Sequence, residues 1–257
     1  MPSIATKTVT LTVADHTVMA AYVAIPGQPS GAAVLVLQEA FGVTRHIRSV
    51  ADRFAAQGYL AIAPELFHRT APQGFEGPYA DFNAVAPHCH AITQDGLTAD
   101  LDAACAWLNA QPGTIKDRIG CIGFCMGGRA AFLANALLPI KAAVSAYGGG
   151  IAPGLLHLAT KQSGPLMLIW GGIDKHIDEG QRSAVRAALA EAGKEFSDTL
   201  YATADHGFFC PDRPAYNAAA SSQGWSAVDA FFKLHLCDFA ALRASRSKPR
   251  EVTHGSL

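Results

Sequence analysis

The hexapeptide Gly123-Phe124-Cys125-Met126-Gly127-Gly128 sets a thiol among glycines, in a pattern that would let cysteine act as a nucleophile. Before it, Arg118-Ile119-Gly120-Cys121-Ile122 reads as a short buried strand; after it, Arg129 to Leu137 reads as a helix. Cys125 is therefore expected on a strand-to-helix turn. Such a turn holds its central residue strained and exposed, with glycines beside it because a Cβ there would strike the opposite limb. At the N-terminus of a helix, unpaired amides and the positive end of the dipole favour thiolate over thiol. The same residues also fit a glycine-rich turn with an inert cysteine, so the hexapeptide alone does not establish chemistry.

A cysteine nucleophile needs a base to take its proton and a third group to hold that base in the right tautomer. Asp174 follows an apolar run ending Trp170-Gly171-Gly172, so it should leave the sheet at the edge that presents Cys125. His206, within Tyr201-Ala202-Thr203-Ala204-Asp205-His206-Gly207-Phe208-Phe209, follows the next strand in the same way. Asp178 is a rival for the acid, or else the N-cap of a helix beginning near Glu179. Asp174 is preferred because it stands closer to the strand end. His157, His235 and His254 fall on helices or in the tail, and His176 lies in the Asp174 loop, which leaves His206 as the base unless it is a structural histidine.

These residues need a frame that brings their loops to one edge. Thr8 to Val13 and Val18 to Ile25 alternate polar and apolar residues about Ala14-Asp15-His16, the pattern of an antiparallel hairpin. Ala33 to Leu37 and Tyr59 to Ala63 are instead continuous apolar runs, as parallel strands covered on both faces must be. Between them Ile47, Val50, Ala51 and Phe54 mark one helical face, with Gly58 as a stop. The alternation continues with helices near Gln94 to Asn109 and Glu179 to Ala192, and strands near Lys141 to Tyr147, Pro165 to Trp170 and Phe196 to Ala202. A last amphipathic helix carries Trp225, Val228, Phe232 and Leu236. About eight strands with intervening helices predict an α/β fold, a doubly wound and mostly parallel sheet with helices on both faces and ligands at the strands' carboxyl ends.

With 257 residues, 50% of them hydrophobic, the chain can fill one large core, and a single domain over residues 1–242 is expected. A net charge of −1 without a basic stripe argues against nucleic acid as a partner. No apolar run approaches the ~20 residues that span a bilayer, and Met1 to Lys7 lack the apolar core of a signal peptide. A cytoplasmic protein acting on a small molecule is expected. Cys89, Cys105, Cys121, Cys125, Cys210 and Cys237 are scattered without a Cys-x-x-Cys pair, which suits a reducing compartment; Cys105 and Cys121 read as core. Pro64 to His90, within a segment 64–92, is rich in proline, glycine and aromatics and too long for a simple loop, so it reads as a lid or pocket wall. In an extended chain its His88 and His90 would share a face across Cys89. A zinc site takes roughly four ligands, however, and no others are at hand, so no metal or cofactor is expected. Residues 243–257, with Arg243, Arg246, Lys248 and Arg250, read as a flexible basic tail.

Gln38-Glu39-Ala40-Phe41-Gly42-Val43, the cysteine turn, Gly171-Gly172-Ile173-Asp174 and His206-Gly207-Phe208 together resemble dienelactone hydrolase (carboxymethylenebutenolidase), from about Val9 to Phe232. The order nucleophile, acid, histidine is that of the α/β-hydrolase superfamily. The resemblance implies hydrolysis of a lactone or related ester through an acyl-enzyme, by a triad of Cys125, His206 and Asp174. It also implies a role for Glu39, whose counterpart in the family interacts with the resting thiol and helps activate it when substrate enters. The other reading of Glu39 is a loop salt bridge with Arg45 or Arg129. Backbone amides of Met126 and Ala40 would form the oxyanion hole. Family members that hydrolyse the anionic dienelactone carry arginines in the pocket wall and a few residues beyond the histidine. Here Cys210 stands four residues after His206, and Ala71 to His90 contain no arginine. Arg69 and Arg213 are the nearby substitutes, and Phe41, Phe67, Tyr79, Phe82, Tyr147 and Phe208 are candidate apolar walls. The competing functions are a thioesterase or acyltransferase on the same triad, and a non-catalytic thiol redox sensor.

Overall fold

The computed structural model describes residues 3–237, so the expected boundary at 242 and the basic tail lie outside the described residues. Strands β1 (Ile4–Thr12) and β2 (Val18–Pro26) form the antiparallel hairpin. β1 starts earlier than its alternation suggested, because it is an edge strand, largely exposed along its length, whose residues carry little inside-outside signal. There follow β3 (Ala33–Leu37), α1 (Arg45–Ala56), β4 (Leu60–Pro64), α2 (Ala86–Ala91), α3 (Gln94–Asn109), β5 (Ile119–Phe124) and α4 (Met126–Leu137). The chain closes with β6 (Ala142–Ala146), β7 (Leu166–Gly171), α5 (Glu179–Glu191), β8 (Phe196–Tyr201) and α6 (Ala218–Leu236).

All 8 strands join one sheet in the order β1-β2-β4-β3-β5-β6-β7-β8. β2 is antiparallel to β4, and every pair from β4 through β8 is parallel. The continuous apolar runs have their cause here: β3, β5, β6 and β7 are buried along their whole length, with helices on both faces. On one face α1 and α6 meet through Phe54, Trp225 and Phe232, with Phe54 and Phe232 ring centroids 5.5 Å apart. On the other, α3 packs against α4. Among the described residues no helix is long and apolar enough to cross a membrane.

The parallel strands end together beside Cys125, Tyr147 and Asp174. Side chains cap the two helices that follow the later loops: Asp178 accepts a hydrogen bond from the Gln181 amide at 2.8 Å to cap α5, and Asn217 accepts from the Ala220 amide at 3.0 Å to cap α6. Segment 64–92 is not an extended chain. It holds a short 3-10 turn (Phe82–Ala84) and α2, where Pro87 sits in the first turn, a position that tolerates its missing N–H. His88 and His90 are therefore on different sides of a helix, which corrects the shared face expected for them. His88 Nδ1 lies 2.9 Å from Thr70 Oγ1 and its ring packs on Phe67 and Phe75. The segment is pinned over the loop after β3, where the Gly77 amide donates to the Phe41 carbonyl at 2.9 Å.

Candidate active site

β5 ends at Phe124 and α4 starts at Met126, so Cys125 alone makes the turn, at φ 56° and ψ −116°. A residue with a Cβ pays for that backbone, and it persists only where its surroundings fix it. They do so here: the Cys125 amide donates to the Ala146 carbonyl at 3.0 Å, and its carbonyl accepts from Gly128 (2.9 Å) and Arg129 (3.2 Å). The need for glycine is steric. A Cβ on Gly123 would stand 1.8 Å from the Gly127 carbonyl oxygen, and one on Gly127 would stand 2.4 Å from that of Leu37.

His206 reaches Cys125 from the loop after β8. Its Nδ1 lies 2.8 Å from Asp174 Oδ2, while Asp174 Oδ1 accepts the amides of His176 (2.7 Å) and Ile177 (3.3 Å). The acid is thus aimed by its own loop, and Asp178 is occupied as the α5 cap. Burial pulls His206 towards its neutral form, but the bonds to Asp174 and to Cys125 outweigh it and push the imidazole up to about 10. Burial likewise raises Asp174, and the bond from His206 overrides it, holding the carboxyl below its usual range. The imidazole is thus clamped between a carboxylate and a sulfur. The ring of Tyr147, itself at φ 38°, lies 5.1 Å from the imidazole.

Glu39, 1% exposed, comes from the loop after β3. Its Oε1 accepts from Arg213 Nη1 at 2.9 Å, so its ionic partner is neither Arg45 nor Arg129. Oε2 makes no hydrogen bond of standard geometry, and the Tyr147 hydroxyl is the group beside it. Burial pushes the Glu39 carboxyl up against the opposing pull of Arg213. The Arg213 guanidinium lies 5.5 Å over the Phe41 ring and against Gly207, at φ 84°, where a Cβ would stand 2.2 Å from Nη1. Arg69 is directed elsewhere, bonded to Asp15 and Asp100 at 2.7–2.9 Å.

The apolar candidates divide. Phe41 and Tyr79 meet edge to face at 4.8 Å. The Tyr79 hydroxyl donates to Thr44 Oγ1 at 3.0 Å and accepts from Cys210 Sγ at 3.4 Å, so Cys210 ties segment 64–92 to the His206 loop. Phe208 is fully buried, stacked on Phe209 at 4.6 Å and supporting Tyr147 from behind. Phe67 is buried with Phe75 and His88, whereas Phe82 is exposed. The Met126 amide, first in α4, has no intrahelical acceptor. Ala40 is buried in the loop after β3, and its carbonyl is 3.8 Å from Cys89 Sγ.

One feature of the site was not named from sequence. A side cavity of about 80 Å³ opens between α4 and the corner joining α2 to α3, lined by Cys89, Thr93, Leu97, Met126 and Arg129 among others. The Arg129 side chain makes no hydrogen bond or ion pair with the described residues. The available signal was its spacing, one helical turn beyond Cys125 on the same face of α4.

A sequence profile described as "Dienelactone hydrolase family" matches residues 19–236. A Synechocystis protein named "Putative carboxymethylenebutenolidase" is 36% identical over 212 residues, covering 79% of this chain and 86% of the relative. A protein of the same name from Escherichia coli is 36% identical over 226 residues, covering 84% and 82%. The crystal structure titled "Putative Dienelactone Hydrolase" from Klebsiella pneumoniae superposes with a TM-score of 0.80 at 30% identity, covering 90% of this chain and 98% of that one.

Proposed function

Because the chain belongs to the dienelactone hydrolase family and is a hydrolase of esters or lactones, we propose that it acts through an acyl-enzyme on Cys125. The observation that carries this reading is the imidazole of His206, held on one nitrogen by Asp174 and facing the Cys125 thiol with the other. In the first step the Cys125 thiolate attacks the carbonyl carbon, and the C=O electron pair moves onto oxygen. The amides of Met126 and Ala40 bind that oxyanion, an interaction typically worth ~3–4 kcal/mol per donor in acyl transfer. Collapse expels the alkoxide, which takes the proton from His206 Nε2; in a lactone the leaving hydroxyl stays attached to the acyl chain. The now neutral His206 removes a proton from water, which attacks the thioester, and the second collapse returns the thiolate and the carboxylic acid.

Glu39 and Arg213 supply the charge beside this triad. An anionic substituent drawn to Arg213 would compete with Glu39 for the guanidinium, freeing a carboxylate to act on the thiol as substrate enters. Phe41, Tyr79 and Tyr147 form the apolar wall, with Phe208 behind it, and segment 64–92 covers the mouth. The same triad would also cleave a thioester. A thiol redox sensor needs no aligned base and no oxyanion hole, and the alignment of Asp174 with His206 disfavours it.

The test is turnover of p-nitrophenyl acetate by Cys125→Ala and His206→Ala proteins with unchanged circular dichroism. Both are expected to be inactive, and retained activity in either overturns the mechanism. Parallel assays with ester, lactone and thioester separate the substrate classes.

A further inference from the structure

On the far side of Phe209 from the triad, a cavity of about 300 Å³ lies between α1 and the N-terminal half of α6. His46, Ser49, Val50 and Arg53 of α1 form one wall, at the i, i+3, i+4, i+7 spacing of a single helical face. Trp225, Phe209 and Tyr216 face it from α6 and the preceding loop. We propose that this cavity is a second ligand site, which takes a small uncharged aromatic molecule bearing a hydroxyl. The inference goes beyond ester hydrolysis and does not rest on it.

His46 is 5% exposed, and its Nε2 has no hydrogen-bond partner. Buried polar atoms are nearly always paired, so an orphan on a cavity wall marks a place for a ligand's polar atom. Burial holds this imidazole down at about 4, which keeps it neutral at ordinary pH. A neutral imidazole nitrogen is a donor or an acceptor according to tautomer, and a hydroxyl can answer either. Arg53 repeats the pattern, since its buried Nε also lacks a partner and can donate to the same oxygen or to a ring face.

Charge and shape decide the rest. Arg53, the guanidinium among the described lining residues, is neutralised by Asp229 at 2.6 Å, which leaves no unpaired cation among them to select an anion. The Arg53 guanidinium lies 4.6 Å over Trp225, and the Phe209 and Trp225 rings are 5.2 Å apart edge to face. Rings meeting at an angle offer a planar ligand both stacking and edge contacts. A volume of about 300 Å³ is at the lower end of small-molecule pockets and suits one substituted ring.

The experiment uses full-length protein carrying Cys125→Ala, so that the catalytic thiol cannot react, with phenol as the probe and benzene as its hydroxyl-free control. Binding is followed by protein-observed NMR titration and located by soaking crystals. The expected result is saturable 1:1 binding of phenol in this cavity, with benzene at least tenfold weaker. His46→Phe, which keeps a ring and deletes the nitrogen, is expected to weaken phenol at least tenfold, and Ser222→Trp at the exposed rim to abolish binding. Ser222 is exposed, so its variant reports even if the buried substitution misfolds. No saturable binding, equal affinity for phenol and benzene, binding unaffected by Ser222→Trp, or phenol found only beside Cys125 would each overturn the proposal.

Discussion

Replacing Asp174 by asparagine isolates the part of the site that aims the base. The side chain is 1% exposed and its Oδ1 is held by two amides, so asparagine fits with its oxygen on those amides and its NH₂ towards His206. That arrangement forces the imidazole proton onto the nitrogen facing Cys125 and removes the charge that sustains the imidazolium. Lifting His206 from 6.5 to about 10 corresponds to about 5 kcal/mol of preference for the charged form. Asp174 and Cys125 share it, with the Asp174 bond the larger contributor. Losing a large part of it would slow the reaction by roughly ten- to a hundredfold. The misdirected tautomer adds to this, and the corresponding substitution in a serine triad costs ~10⁴-fold. The expected fall in kcat/KM for p-nitrophenyl acetate is therefore about 10³- to 10⁴-fold, with slower alkylation of Cys125 by iodoacetamide at pH 7 and a melting temperature that changes little. Activity within tenfold of the parent, with unchanged alkylation, would refute the reasoning.

Other expectations follow from single contacts. His46 is neutral in the folded protein down to about pH 4 but titrates near 6.5 when unfolded, so the unfolded state binds more protons between those values and stability falls as the pH drops through that window. Urea melts across pH 4–6.5 should show a shallower decline in His46→Phe, and an identical slope would contradict the assignment. Gly123→Ala drives a Cβ into the Gly127 carbonyl at 1.8 Å and should cost about 3 kcal/mol or more, together with activity; a protein of parental stability would show that the turn yields. Arg213→Met leaves Glu39 buried without its ion partner, a loss of about 3–5 kcal/mol for such pairs. Adding Glu39→Gln should recover much of that stability, and a double-mutant cycle with no coupling would show that the pair is not energetically linked.

The parts of this site legible in the sequence are those whose physics is local. The glycines around Cys125 are demanded by contacts within a few residues of it, and the parallel strands read as apolar because both faces are covered. Asp174 and His206 were placed by following strand ends, and the sheet does bring those ends together. The rest depends on packing between distant segments. Glu39 and Arg213 are 174 residues apart, and no local pattern distinguishes Arg213 from Arg45 or Arg129 as the partner. The helix at Ala86–Ala91 carries one proline and two histidines and has no buried residue of its own, so no apolar period announced it. The early start of α4 at Met126 followed from the turn geometry rather than from propensity, since Gly127 and Gly128 are poor helix formers.

The central claim is that Cys125 carries the acyl group. Rapid quenching of the enzyme during turnover of p-nitrophenyl acetate, followed by peptide mass mapping, tests it directly. An acetyl adduct on the Cys125 peptide that forms in the burst and decays at the turnover rate is predicted. Undiminished turnover with no adduct on Cys125, or with the acetyl group on another residue, would contradict the account.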